Sequence, residues 1–178
     1  MAVIAQEYYD ILKSIQTELR VKDTSIASPN YVNVDLATRT IDLSSGGYKD
    51  FLSVEKDHRA ETIYFEVPRF FDDVDLTSKN IIIEYQNKDG NFIYPVPVKD
   101  TISKPGYIRF GWCIGSNATK YKGDLTFAIR FYQVDLNEQQ FIYSLRTKPA
   151  IGKILYGLSG AIQGENLDYP EFTLATIQ

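Results

Sequence analysis

The chain has 178 residues, of which 44% are apolar, 24% charged and 13% aromatic. That composition suits one folded domain with at most an extra arm, and it excludes a disordered or low-complexity polypeptide. Nineteen Lys and Arg against 23 Asp and Glu leave a net charge of −4, with no basic stretch dense enough to follow a row of phosphates, so nucleic acid is not an expected partner. The single cysteine, Cys113, can form neither an internal disulfide nor a multi-thiolate metal site. No stretch approaches the roughly 20 apolar residues of a membrane span, and residues 1–9 lack the basic and apolar regions of a secretory signal. Synthesis and retention in the cytosol, without membrane association, is the expectation.

In chain order, Gln6 to Arg20 contains no Gly or Pro and places Tyr8, Leu12, Ile15 and Leu19 at intervals of four, three and four. This is helical spacing. Ile4, Tyr9 and Ile11 widen the apolar stripe. A helix of about 15 residues is marginal alone in water, so the stripe must be buried against its own domain or against a neighbouring subunit. Tyr8, Leu12, Ile15 and Leu19 are therefore the candidate subunit-contact residues, with the polar link Lys22 to Ser28 separating helix from body.

From Pro29 onward the period becomes two. Val32, Val34 and Leu36, then Ile41 and Leu43, predict a hairpin closed by Ala37 to Arg39. Ile63, Phe65 and Val67 alternate up to Pro68. The triplet Ile81, Ile82 and Ile83 predicts a strand buried on both faces. Asn87, Lys88, Asp89 and Gly90 predict a tight reversal, with Asp-Gly supplying positive φ angles. Phe92, Tyr94, Val96 and Val98 predict the returning strand, placed at a sheet edge because Pro95 and Pro97 cannot donate to a ladder. Ile108, Phe110, Trp112 and Ile114, then Leu125, Phe127, Ile129 and Phe131, then Phe141, Tyr143 and Leu145, complete the expected core faces. About eight strands without intervening helices predict a mainly β fold: an antiparallel β-sandwich, immunoglobulin-like or jelly-roll-like, with an N-terminal α-helix. The divisions are helix and link at 1–28, sandwich at 29–156 and a C-terminal arm at 157–178. That arm keeps Leu158, Ile162, Leu167, Tyr169, Phe172, Leu174 and Ile177 and carries acids at Glu165, Asp168 and Glu171. It reads as a strand lying back on the sandwich or as an extended arm that pairs with a neighbour.

Catalytic candidates are sparse. The sole histidine, His58, lies in a polar stretch with no nucleophile elbow elsewhere in the chain, and reads as a loop residue with local hydrogen bonds. Asp72, Asp73 and Asp75 lack the glycine and distal glutamate of a calcium loop and read as turn chemistry. No phosphate-binding glycine loop is present. Asn117, Ala118 and Thr119 match a glycosylation sequon, which means little without a secretory route. Lys120, Tyr121 and Lys122, near Arg109 and Arg130 in sequence, mix cations with an aromatic as sugar- or nucleic-acid-binding surfaces do. Tyr48, Phe70, Phe71, Tyr107, Tyr121 and Tyr132 fall outside the expected core faces and suggest an interaction surface. No catalytic, cofactor-binding or metal-binding residue is assigned.

Four stretches form a recognisable set: Val32 to Ile41 (VNVDLATRTI), Val54 to Val67 (VEKDHRAETIYFEV), Pro68 to Leu76 (PRFFDDVDL) and Ala118 to Gly123 (ATKYKG). Together with Trp112, Ile114, Gly115 and Lys122, they resemble the N-terminal domain of upper baseplate proteins in phages that infect Gram-positive bacteria, over residues 30–148. The resemblance implies a β-sandwich building block of the virion without catalytic residues, a homo-oligomer docked on other virion structural proteins. It leaves open a place in the baseplate, tail, neck or head fibre. The alternative is a carbohydrate-binding module that recognises host cell-wall glycans through exposed aromatics.

Overall fold

The computed structural model describes residues 4–18, 22–28 and 30–158. Helix α1 (Gln6–Glu18) precedes strands β1 (Lys22–Asp23), β2 (Val32–Asp35), β3 (Thr40–Asp42), β4 (Ser53–Val54), β5 (Thr62–Pro68), β6 (Phe70–Phe71) and β7 (Val74–Asp75). Then come β8 (Asn80–Asn87), β9 (Gly90–Pro95), β10 (Val98–Asp100), β11 (Tyr107–Cys113), the short helix α2 (Ser116–Thr119), β12 (Gly123–Val134), β13 (Phe141–Arg146) and β14 (Ala150–Leu155). The first sheet has the order β1-β10-β11-β5-β2-β3 and the second β4-β14-β12-β8-β9, with β13 also paired to β12. The fold is mainly β and sandwich-like, as the alternation predicts. Most pairs are antiparallel, but β1 with β10, β2 with β5 and β4 with β14 run parallel over two residue pairs each. These short pairings join segments far apart in sequence, which no hairpin rule anticipates.

The inward side chains interlock. Val32, Phe65, Ile108, Phe110 and Trp112 from the first sheet meet Ile81, Ile83, Leu125, Phe127, Ile129 and Phe131 from the second in one buried cluster. Phe110 packs edge-on to Phe131 at 6.3 Å between ring centroids, and Trp112 lies 5.1 Å from Phe127. Burying each such side chain is worth roughly 1.5–3 kcal/mol, so the alternation itself drives the two layers together.

The helix adds a third layer. Leu12 and Tyr9 are buried with Ile82, Tyr132 and Val134 on the outer face of the second sheet, and Tyr8, Ile15, Ile93 and Phe141 pack against them. The stripe expected to face either its own domain or a neighbour closes on its own domain. Of the four candidate subunit contacts, Leu12 is buried in this intramolecular packing, Tyr8 and Ile15 are partly buried in it, and Leu19 lies outside the described residues. The reason is the floor beneath them: Ile82 and Tyr132 are 0% exposed only because α1 covers them. Tyr132, expected outside the core, lies here, and its hydroxyl donates to the Leu12 carbonyl at 2.9 Å. The double-sided burial expected at Ile81 to Ile83 is observed, with Ile82 under the helix and its neighbours between the sheets.

Several local readings change. The strand expected through Phe92 to Val98 is two strands. β9 ends the second sheet at Pro95, the Val96 N–H donates to Ile81 at 3.1 Å, and β10 joins the first sheet. The two prolines mark a crossing between layers as well as an edge. The β8–β9 hairpin sits where predicted, yet only Gly90 has positive φ, at 131°, while the Asn87 side chain accepts from the Asp89 N–H at 2.8 Å. Phe141 joins the helix cluster while Tyr143 and Leu145 face the inter-sheet core, because the register shifts at Gln133 and Val134. β14 turns Gly152 and Ile154 inward, so its core face holds a single large apolar residue and shows no alternation to be read from sequence. Leu52 fills the space over Gly152, 2.1 Å from where a Cβ would stand.

Residues 22–28, expected as a polar link, are docked on the first sheet. β1 pairs with β10, Ile26 is buried, and the Asp100 carboxylate accepts the N–H groups of Ile26, Ile102 and Ser103 at 2.8–3.0 Å. Burial alone would raise the Asp100 pKa, but these bonds overcome it and hold the group well below the usual carboxylate range. A depressed pKa contributes stability that is present above the unfolded value of about 3.9 and lost as pH falls through the folded value. Asp100→Asn should therefore destabilise the protein by about 2 kcal/mol at neutral pH, since its amide nitrogen cannot accept an N–H. The difference from wild type should shrink below about pH 4, as measured by urea denaturation across pH. A pH-independent difference would contradict this account.

Candidate functional site

Beside α1, the outer face of the second sheet opens into a groove of about 710 Å³, lined by Tyr8 and Ile11 of the helix, by Glu84, Ile93 and Arg146 of the sheet and by Pro149 between β13 and β14. Register builds it. Glu84 stands opposite Ala128 on one side and Ile93 on the other, and Gln86 stands opposite Thr126, so small side chains on β12 leave the floor low. The helix covers the other half of this face. Ile11 remains 44% exposed at the rim.

The charged end of the groove is tightly organised. Arg130 and Arg146 stand directly opposite one another across β12 and β13, an arrangement that like charges disfavour. Glu84 lies between them, with its carboxylate 3.2 Å from the Arg146 Nε and 3.6 Å from the Arg130 Nη1. The Tyr8 hydroxyl donates to Glu84 at 2.7 Å and accepts from Arg130 at 3.0 Å, and the Arg130 Nε donates to Ser144 at 3.1 Å. Arg130 is 4% exposed and stacks over Phe141 at 4.2 Å. Burial and the Glu84 carboxylate push the Tyr8 hydroxyl up to about 12, so it stays a neutral donor at any physiological pH. The arrangement fixes a half-exposed guanidinium, Arg146, beside an apolar wall. Such a site holds a partner's carboxylate or backbone carbonyl next to its apolar side chains.

The expected cation cluster does not assemble. Arg109 belongs to the first sheet and pairs with Glu66 at 3.2 Å, and Arg130 is buried under Tyr8. Tyr121 donates to Asp89 at 2.8 Å, and the Lys88 and Lys120 ammonium groups stand 5.3 and 5.5 Å from its ring centre. Its ring is engaged by protein cations. Of the other exposed-aromatic candidates, Tyr48 bonds Glu61 at 3.0 Å and Phe71 packs on the core, while Phe70 is 55% exposed.

His58 has the local role expected of it, its Nδ1 accepting the Ser116 N–H at 2.9 Å. The motif stretches around it interlock at one end of the sandwich: the Lys56 N–H donates to Thr119 and the Arg59 N–H to Ile114, each at 2.8 Å. Thr119 is 0% exposed and its hydroxyl donates to the Asp57 carbonyl. Asp72 and Asp73 take left-handed φ angles of 48° and 65° in the β6–β7 turn, and Asp75 pairs with Arg69 at 2.9 Å and accepts the Thr77 N–H at 3.0 Å. This is turn chemistry. Among the described residues no three His, Cys, Asp or Glu side chains converge as a metal ion would require.

Sequence reasoning missed Glu84 and Arg146. A signal was available, since Glu84 interrupts the otherwise buried run Ile81 to Tyr85 and a charge there needs a partner. No protein-family model matches the chain, and no curated protein is significantly similar to it. Among the described residues no helix is long and apolar enough to cross a membrane.

Proposed function

We propose that this chain is a non-enzymatic structural protein of the virion of phages that infect Gram-positive bacteria, working by docking on other virion proteins. The groove beside α1 carries the reading. It is a rigid, half-apolar surface whose polar groups are already committed to positioning one another, which suits recognition of a protein surface. Two of the stretches that resemble the baseplate module, Val54 to Val67 and Ala118 to Gly123, meet at one end of the sandwich. Assembly as a homo-oligomer then runs through this groove and the exposed Ile11, with the inner stripe of α1 committed to its own sheet.

The test is incorporation. In density-purified particles from cells carrying the gene, the chain should be present at stoichiometric level, and the rim variants Ile11→Asp and Arg146→Glu should remain folded yet be depleted from particles. Absence of the unmodified chain from particles would refute the proposal. Glycan recognition keeps its own readout: saturable binding to purified cell wall, abolished by Tyr121→Ala, would favour that reading.

A further inference from the structure

A strand at the edge of a sheet offers unpaired N–H and carbonyl groups, and natural proteins blunt such edges. Most edges here are blunted. β1 and β4 are two residues long, and β3 has three and ends on Asp42. β13 shifts register at Gln133 and Val134, and its Arg146 carbonyl accepts from the Arg39 Nη1 at 2.9 Å. β9 is different. Among the described residues it ends the second sheet, it runs for six residues without a register shift against β8, and its sequence from Gly90 to Pro95 carries no charge. The Val96 N–H donates to Ile81, and bonded pairs alternate along an antiparallel ladder. Phe92 and Tyr94 therefore bond β8, while Asn91 and Ile93 turn both N–H and carbonyl to the open edge. Pro95 turns only a carbonyl there.

We infer that the β9 edge pairs with the β9 edge of a second copy of this chain, antiparallel about a two-fold axis at Phe92. The edge is self-complementary. In this register Asn91 exchanges both backbone bonds with the partner's Ile93, and Ile93 does the same with the partner's Asn91. Moving the axis to Ile93 would bring Pro95 into the ladder, where it cannot donate and its ring would meet the partner's Asn91 carbonyl, so the proline selects the register as well as limiting its length. No charge stands opposite a like charge along the paired strands. Phe92, stacked on Tyr85 at 5.3 Å, meets its own counterpart across the axis. Each copy has one such edge, so the pairing closes as a dimer and does not continue into a fibre. Asn91 and Ile93 also line the groove beside α1, and the two grooves then adjoin across the axis as one continuous surface. The inference deepens the homo-oligomer reading and rests on it for self-association alone.

Light scattering and isotope-filtered NMR on the full chain test it. The full-length protein should run as a dimer. Asn91→Ala, which keeps the backbone amide, should remain one, whereas Asn91→Pro should fall to half the mass with its circular dichroism unchanged. Because the Asn91 N–H does not bond β8, a proline there leaves the β8–β9 ladder whole. In a mixture of ¹³C-labelled and unlabelled chains, the Phe92 Hα of one chain should show a cross-peak to the Phe92 Hα of the other, as facing residues of a non-hydrogen-bonded antiparallel pair do. An oligomer that persists in folded Asn91→Pro, or one that lacks the cross-peak, would overturn the inference and leave the groove and Ile11 as the contact. A monomeric full-length chain would overturn it as well, and would leave virion membership to the incorporation experiment.

Discussion

Leu12→Ala should lower the stability of the whole protein by about 3 kcal/mol and its Tm by roughly 6–12 °C. Leu12 is 0% exposed, and its methyl groups lie among Ile82, Tyr132 and Val134. Truncation removes the transfer energy and leaves a cavity that a helix spanning a sheet cannot collapse without lifting. The Tyr132 hydroxyl is bonded to the Leu12 carbonyl, so movement of the helix would also strand a buried donor. The contrast is with Ile11→Ala, one residue away and 44% exposed, which should change stability by less than about 0.5 kcal/mol. Chemical denaturation of both variants decides the matter. Equal, small effects would mean that α1 is not part of the folded body in solution.

Glu84→Ala should cost about 3–4 kcal/mol, more than a side chain still 25% exposed suggests. The loss falls on Arg130, which is 4% exposed and would keep its charge with the Tyr8 and Ser144 hydroxyls and the Phe141 and Tyr8 rings but no carboxylate. Arg146→Ala removes a guanidinium that is 55% exposed, and a surface pair of this kind is worth about 0.2–1 kcal/mol. The double variant Glu84→Ala, Arg130→Met should recover part of the loss, because it takes away the orphaned charge along with its partner. Equilibrium unfolding of these three variants and of Arg130→Met alone provides the comparison. A double variant as unstable as the sum of its parts would show that Arg130 is held by something other than Glu84.

Where burial followed from alternation, the sequence was a good guide. Ile108, Phe110, Trp112 and Ile114 lie on one face as written, and the two-sheet arrangement follows from several such faces meeting. The helix was equally legible, but its partner was not. A stripe of Tyr8, Leu12 and Ile15 says that something apolar lies opposite, and only the outward face of β12, with Tyr132 and Val134, says what. β14 escaped notice because Gly152 takes an inward position that Leu52, just before β4, fills. The groove was illegible for a related reason: Glu84, Arg130 and Arg146 come together through register, which separates them by up to 62 positions in the chain.

The order of synthesis meets an obstacle in the third layer. Leu12 leaves the ribosome 120 residues ahead of Tyr132, the side chain that anchors it, and Ile4 waits still longer for its hydrogen bond with Gln139. Until then the oily side of α1 has nowhere to go, and it is a target for chaperones or for nascent neighbours on the same message. Closure of the N-terminal helix is thus a late event in the birth of this protein, and slow refolding after dilution from denaturant is its expected trace.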